Sequence, residues 1–285
     1  MSSFLTGVLG EGPAATAAIY TPDLDHFRGS FGGKHVIPLW RNAAATEPNI
    51  TAGLLPLPNE VYTERVTLED IFAYVYAVLA NPEYTENFSE ELSEPGPQLP
   101  LTKDSALFRR ATTMGKRLLW LHTYGERFIP EGMCAGQIPR GTARCIQGIP
   151  TSPEKYPEDF EYIEAERTLR VGEGKISPVS PEVWNFSVSG LQVVKSWLDY
   201  RKKDGAGRRS SPLDEIRPER WTTRMTQELL ELIWVLEHTL AMYPELEDTL
   251  MAVVQSECFT ENELPRPADV ERLPPQAKMP LFPED

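Results

Sequence analysis

Nine Lys and Arg residues fall between Gly190 and Arg224 of a 285-residue chain whose formal net charge is −14. Cations gathered against the sign of the whole molecule can hold an anion, and the phosphates of a nucleic-acid backbone suit this pattern. The members are Lys195, Arg201, Lys202, Lys203, Arg208, Arg209, Arg217, Arg220 and Arg224. Gly205 and Gly207 permit close backbone approach. The planar forks of Arg208 and Arg209 can bond a phosphate or a guanine edge bidentately, and Ser210 and Ser211 add short neutral donors. Five acidic neighbours, Asp199, Asp204, Asp214, Glu215 and Glu219, leave open the plainer reading of a solvated, self-paired loop. Two smaller groups carry the same chemistry: Arg28, Lys34 and Arg41, then Arg140 with Arg144. Trp197 and Trp221 flank the main segment and read as core anchors rather than base-stacking platforms.

Other chemistries find less support. His26, His35, His122 and His238 are scattered, with no Cys-x-x-Cys or His-x-x-x-His spacing to hold zinc. No Walker loop, dinucleotide fingerprint or Gly-x-Ser-x-Gly elbow occurs, so neither a cofactor nor a catalytic residue is expected. Asn81-Pro82-Glu83-Tyr84 approaches the Asn-Pro-Pro-Tyr with which amino-directed DNA methyltransferases grip a flipped base. It lacks the second proline and follows an apolar helical pattern, where Asn-Pro is a stop signal. Cys134, Cys145 and Cys258 are too few for a disulfide framework, and neither a signal peptide nor a membrane-length apolar run is present. These features point to a cytoplasmic protein with no membrane partner.

The elements that must position these residues are punctuated by 26 prolines. Short apolar runs at 16–20 and 35–40 around a Gly-Gly pair read as a β-hairpin-like entry. Thr67, with Asp70 three residues on, caps a helix that runs to Asn81-Pro82. A short amphipathic unit follows over 84–92, and a third helix starts near Thr102 or Asp104 and closes near Gly125. Residues 160–164 and 167–171 alternate as a β-hairpin, with a further turn at Gly172-Glu173-Gly174. A unit begins at Ser180-Pro181 and leads to Tyr200. The last strong helix is expected over 222–242, stopped by Pro244, and the Pro-rich tail after Cys258 as extended or poorly ordered. Trp120, Trp184, Trp197 and Trp234 lie in apolar patterns and are expected to be buried. The fold class is mixed α+β: short hairpins around a helical subdomain, with a long C-terminal helix. The divisions are a β-rich entry (1–60), a helical subdomain (61–128), a mixed part with the basic loop (129–256) and the acidic tail (257–285).

Taken in order, several segments resemble the C-terminal specificity domain of type ISP restriction-modification enzymes, over about residues 15–255. They are Pro22-Asp-Leu-Asp-His-Phe-Arg28 with Val36-Ile-Pro-Leu-Trp40, and Glu69 to Leu79 with Asn81-Pro-Glu-Tyr84 and Phe88. Next come Leu99-Pro-Leu-Thr102, Leu118 to His122, Pro181-Glu-Val-Trp184, Val188 to Gly190, and Trp197 to Arg201. The resemblance implies a mixed α/β domain that reads duplex DNA beside an adenine methyltransferase. The implied partners are double-stranded DNA and methyltransferase, translocase and nuclease parts acting in cis or in trans. It transfers no recognition residue by position, so the site assignments rest on charge. Two other readings stay open: a subunit that docks such a partner through helices 67–80 and 222–242 without touching DNA, and an enzyme of another kind.

Overall fold

The computed structural model describes residues 3–6, 12–20, 35–62, 64–88, 99–203 and 218–272. Among the described residues the architecture is α+β, with three small antiparallel sheets packed around helices, one of them, near the C-terminal end, 33 residues long.

The entry differs from a simple hairpin. Strands β1 (Ser3–Thr6), β2 (Ala15–Ala18) and β3 (His35–Pro38) form a sheet of order β2-β1-β3, so β1 lies between the two runs expected to pair. The apolar alternation of Ser3-Phe-Leu-Thr6 is too short to stand out, and four residues of pairing on each side hold it in place. The Gly-Gly pair lies outside the described residues.

After a short helix α1 (Pro56–Val61), helix α2 (Leu68–Leu79) starts at Thr67 in a capping box. The Asp70 N–H donates to Thr67 Oγ1 (3.2 Å), and the Thr67 N–H returns a bond to Asp70 Oδ2 (2.8 Å). Helix α3 (Pro82–Asn87) follows at once, its Asn81 cap accepting from the Glu83 N–H, so the expected unit begins two residues earlier. Helix α4 (Ser105–His122) is capped by Asp104. It crosses α2 so closely that a Cβ on Gly115 would lie 1.8 Å from the Ala73 carbonyl oxygen.

The second sheet is antiparallel, of order β4-β7-β6-β5, from β4 (Arg144–Gln147), β5 (Phe160–Ile163), β6 (Thr168–Val171) and β7 (Gly174–Ser177), so that β4 lies beside β7 rather than β5. Both expected turns are present: Phe160 pairs with Val171, and Val171 with Gly174. Helix α5 (Pro181–Trp184) is capped by Ser180. Strands β8 (Ser187–Val188) and β9 (Leu191–Gln192) then make a two-residue hairpin whose turn, Ser189-Gly190, has positive φ at both positions (49° and 76°). Helix α6 (Val193–Asp199) leads into the basic segment.

Helix α7 (Thr223–Gln255) continues past Pro244, where the sequence places a stop. Proline removes the bond to the Leu240 carbonyl and costs about 3 kcal/mol. The next turns bury Leu246, Leu250 and Val253, each worth about 1.5–3 kcal/mol, so the helix persists. It thereby serves two cores. Its first half packs with β6, β7, α5 and α6, and its second half with α2 and α4. Beyond it the chain is tied down as far as Glu271: Cys258 and Thr102 form a backbone β-bridge, the Phe259 N–H bonds Leu101 O (2.8 Å), and Glu271 accepts from the Ala52 N–H (2.8 Å). No described helix is long and apolar enough to cross a membrane.

Candidate nucleic-acid interface

The two flanks of the basic segment meet on the body of the protein. Trp197 on α6 contacts Trp221, just before α7, edge to face at 6.1 Å between ring centroids. Trp221 is 1 % exposed and its indole N–H donates to Thr226 Oγ1 (2.8 Å). The core-anchor reading holds for it. Trp120 and Trp234 are buried as expected, whereas Trp184 and Trp197 are only half-buried. Trp184 stacks on Tyr162 at the rim of the second sheet, and Trp197 forms part of a cavity wall.

The cations nearest α6 fall into two kinds. Arg201 lies over Trp197, its guanidinium carbon 3.9 Å from the ring centroid, and donates to the Trp197 carbonyl (3.3 Å). Burial lowers its pKa from the ordinary guanidinium value, while Glu228 acts in the opposite direction. Lys202 pairs with Asp199 (2.9 Å) and reaches over Phe160; Lys203 pairs with Glu158. The backbone here docks on the strand β5 approach: the Lys203 N–H bonds Pro157 O (2.8 Å), and the Tyr156 hydroxyl bonds Arg201 O (2.7 Å). Lys195 and Arg220 are exposed and make no ion pair among the described residues. Arg224 is exposed with Glu228 one turn on (2.9 Å). Arg41 acts electrostatically on Glu271. Arg28, Lys34, Arg208, Arg209, Ser210, Ser211 and Arg217 lie outside the described residues. Of the other basic group, Arg144 is turned back onto the backbone just before its strand, bonding Gly141 O (2.6 Å) and Ala143 O (2.8 Å).

Beside this root lies a partly open cavity of about 550 Å³, missed by sequence reasoning. Its wall combines β2, the end of α4, the β8–β9 hairpin, α6 and the middle of α7. No local pattern reveals it, because its residues are spread across some 220 positions, from Pro13 to Leu236. His122 stands in that wall with both nitrogens committed inward, Nδ1 to the Tyr76 hydroxyl (2.5 Å) and Nε2 to Thr239 Oγ1 (2.9 Å). Burial brings its pKa down to about 4. The Asn81-Pro-Glu-Tyr84 segment is structural: Asn81 caps α3, and Tyr84 is fully buried, with no face free to stack on a base.

This is an α+β module in which a cation-rich segment is rooted beside an aromatic-walled cavity. The chain belongs to the Type ISP C-terminal specificity domain family, whose model matches residues 4–232. Its fold is similar to parts of three solved structures. A nuclease-deletion mutant of the Type ISP restriction-modification enzyme LlaGI, in complex with a DNA substrate mimic, matches 86% of this chain at 19% identity and TM-score 0.54. The DrdV–DNA complex matches 91% at 18% identity and TM-score 0.60. The ATP-dependent Type ISP restriction-modification enzyme LlaBIII bound to DNA matches 91% at 16% identity and TM-score 0.55. The matches span only 21%, 25% and 16% of those longer chains. Among curated proteins, none matches.

Proposed function

We propose that the chain is a non-catalytic DNA target-recognition module of a type ISP restriction-modification system. It serves an adenine methyltransferase, a translocase and a nuclease, supplied in the same polypeptide or by separate subunits in the cytoplasm. Membership of the specificity-domain family carries this reading. The likeness in fold to parts of three DNA-bound proteins supports it.

On this reading the basic segment is the DNA contact, and its cations divide the work. Lys202 and Lys203, each paired to a carboxylate, hold the root of the segment in place. Lys195, Arg220 and Arg224 supply backbone charge, while Arg208, Arg209, Ser210, Ser211 and Arg217 approach phosphates or base edges. Arg28, Lys34 and Arg41 form a second, lesser contact. The test is a salt titration of duplex binding. A steep fall of affinity with salt supports the reading, since each neutralised phosphate releases counterions. Salt-insensitive association with a methyltransferase partner, and none with DNA, would favour a docking subunit instead.

A further inference from the structure

The cavity beside α6 has no role in the fold or in phosphate contact as described above. Its volume of about 550 Å³ falls in the range, about 300–1,000 Å³, of pockets that enclose small ligands. Its wall is unusually aromatic, with Tyr124, Phe186, Trp197 and Tyr200 set among Val and Leu side chains. The hydroxyl of Ser196, half-buried on α6, belongs to the same wall. His122 adds a ring edge but no free nitrogen.

We propose that this cavity receives a single unstacked nucleobase. Flat apolar walls suit the faces of a base, which bind by stacking on aromatic side chains, and a hydroxyl can serve the polar edge. The charge nearby fits a ligand that carries phosphate. Lys195 directly precedes Ser196, and Arg201 lies on the ring of Trp197, so cations stand next to two wall residues in sequence or in space. An acyl chain would gain little from the hydroxyls and cations, whereas a nucleotide uses both. The base has two possible sources, an extrahelical base of bound DNA or a free nucleoside. The first rests on the DNA-recognition reading and the second does not.

The experiment uses the full chain and three probes: a paired duplex, the same duplex with one bulged 2-aminopurine, and free 2-aminopurine riboside. Fluorescence of the analogue reports stacking, and affinity is measured for each probe. The expected result is binding of the bulged duplex at least about fivefold tighter than the paired one. The preference should vanish in Ser196→Phe, which sets a phenyl ring in the cavity against the space a base would take, with paired-duplex affinity unchanged. Leu191→Trp, at another half-buried wall position, is the second blocking variant, and circular dichroism checks both folds. Equal binding of the two duplexes, unaltered by either variant, refutes the base site and leaves DNA recognition standing. Binding of the riboside alone, lost in both variants, keeps the base site and removes the DNA reading. Binding of no probe by the folded protein refutes the proposal.

Discussion

Lowering the pH from 8 to 5 should cost this protein about 2 kcal/mol of stability through one side chain, His122. Its hydrogen-bond network admits one proton arrangement. The Thr239 hydroxyl donates to the Val235 carbonyl (2.8 Å), so its oxygen must accept from His122 Nε2–H (2.9 Å). Nδ1 is then the acceptor, and it takes the Tyr76 hydroxyl proton at 2.5 Å. The Tyr76 oxygen in turn accepts from the backbone of Ala17, tying β2 to the helices. Burial brings the folded pKa down to about 4 against 6.5 for the free group, and a second ring proton would besides set donor against donor. Between those values the unfolded chain binds a proton that the native one refuses. This contribution is therefore whole above pH 6.5, falls as the pH drops toward 4, and changes no further below. At about 1.4 kcal/mol per tenfold change, the full loss is about 3 kcal/mol, of which about 2 kcal/mol is reached by pH 5. Urea unfolding at both pH values, in wild type and His122→Gln, isolates the group, because Gln can keep one donor and one acceptor without titrating. Equal pH dependence in the two proteins, or a His122 resonance titrating near 6.5, would refute the reasoning.

Gly115→Ala should destabilise by about 1–3 kcal/mol or more, read by thermal unfolding, because the added carbon meets the Ala73 carbonyl and must part α2 from α4. Glu237→Ala should cost about 1–2 kcal/mol and disturb Trp234 fluorescence. Glu237 accepts from the Thr142 N–H (2.6 Å), the Thr142 hydroxyl (2.6 Å) and the Ala143 N–H (3.2 Å), and the Trp234 indole bonds the Ala143 carbonyl (2.9 Å). Replacing Arg208 and Arg209 together by alanine should lower the salt slope of duplex binding by about two while circular dichroism is unchanged; an unaltered slope would move the contact to Arg28, Lys34 and Arg41.

What could be read from the sequence was local. Thr67 with Asp70, the alternation on either side of residues 165–166, and the glycines at 172 and 174 each fix their element through neighbours a few residues away. The misses were nonlocal. Pro244 looks like a stop until Leu246, Leu250 and Val253 are seen buried against α2 and α4. Strand β1 gains its place only by pairing on both sides. The half-burial of Trp184 and Trp197 depends on which surface their helices turn outward. The cavity needs strands and helices from four parts of the chain, so no window of sequence contains it.

The charge arrangement bears on how such a module would work within a larger assembly. In a chain of net charge −14, Lys202, Lys203 and Arg224 each sit against a carboxylate, which leaves Lys195 and Arg220 as the exposed cations without an ion pair among the described residues of the segment. Nonspecific affinity scales with the phosphates a protein neutralises, and the overall negative charge of the chain opposes approach to DNA, so weak backbone binding is expected of the isolated chain. Weak backbone affinity is an advantage in a module that must select a sequence, because it keeps binding to wrong sites short-lived. The remaining affinity can come from linkage. Once a translocase or methyltransferase is on the duplex, an attached recognition module faces DNA at an effective concentration near millimolar, and a few contacts then suffice. On this argument, joining the chain to a DNA-bound partner should raise its apparent affinity by about 10²–10⁴ without adding contacts to the recognised site. A titration of one duplex with the free and the linked chain measures that gain, and equal affinity in both forms would show that the module carries its own grip.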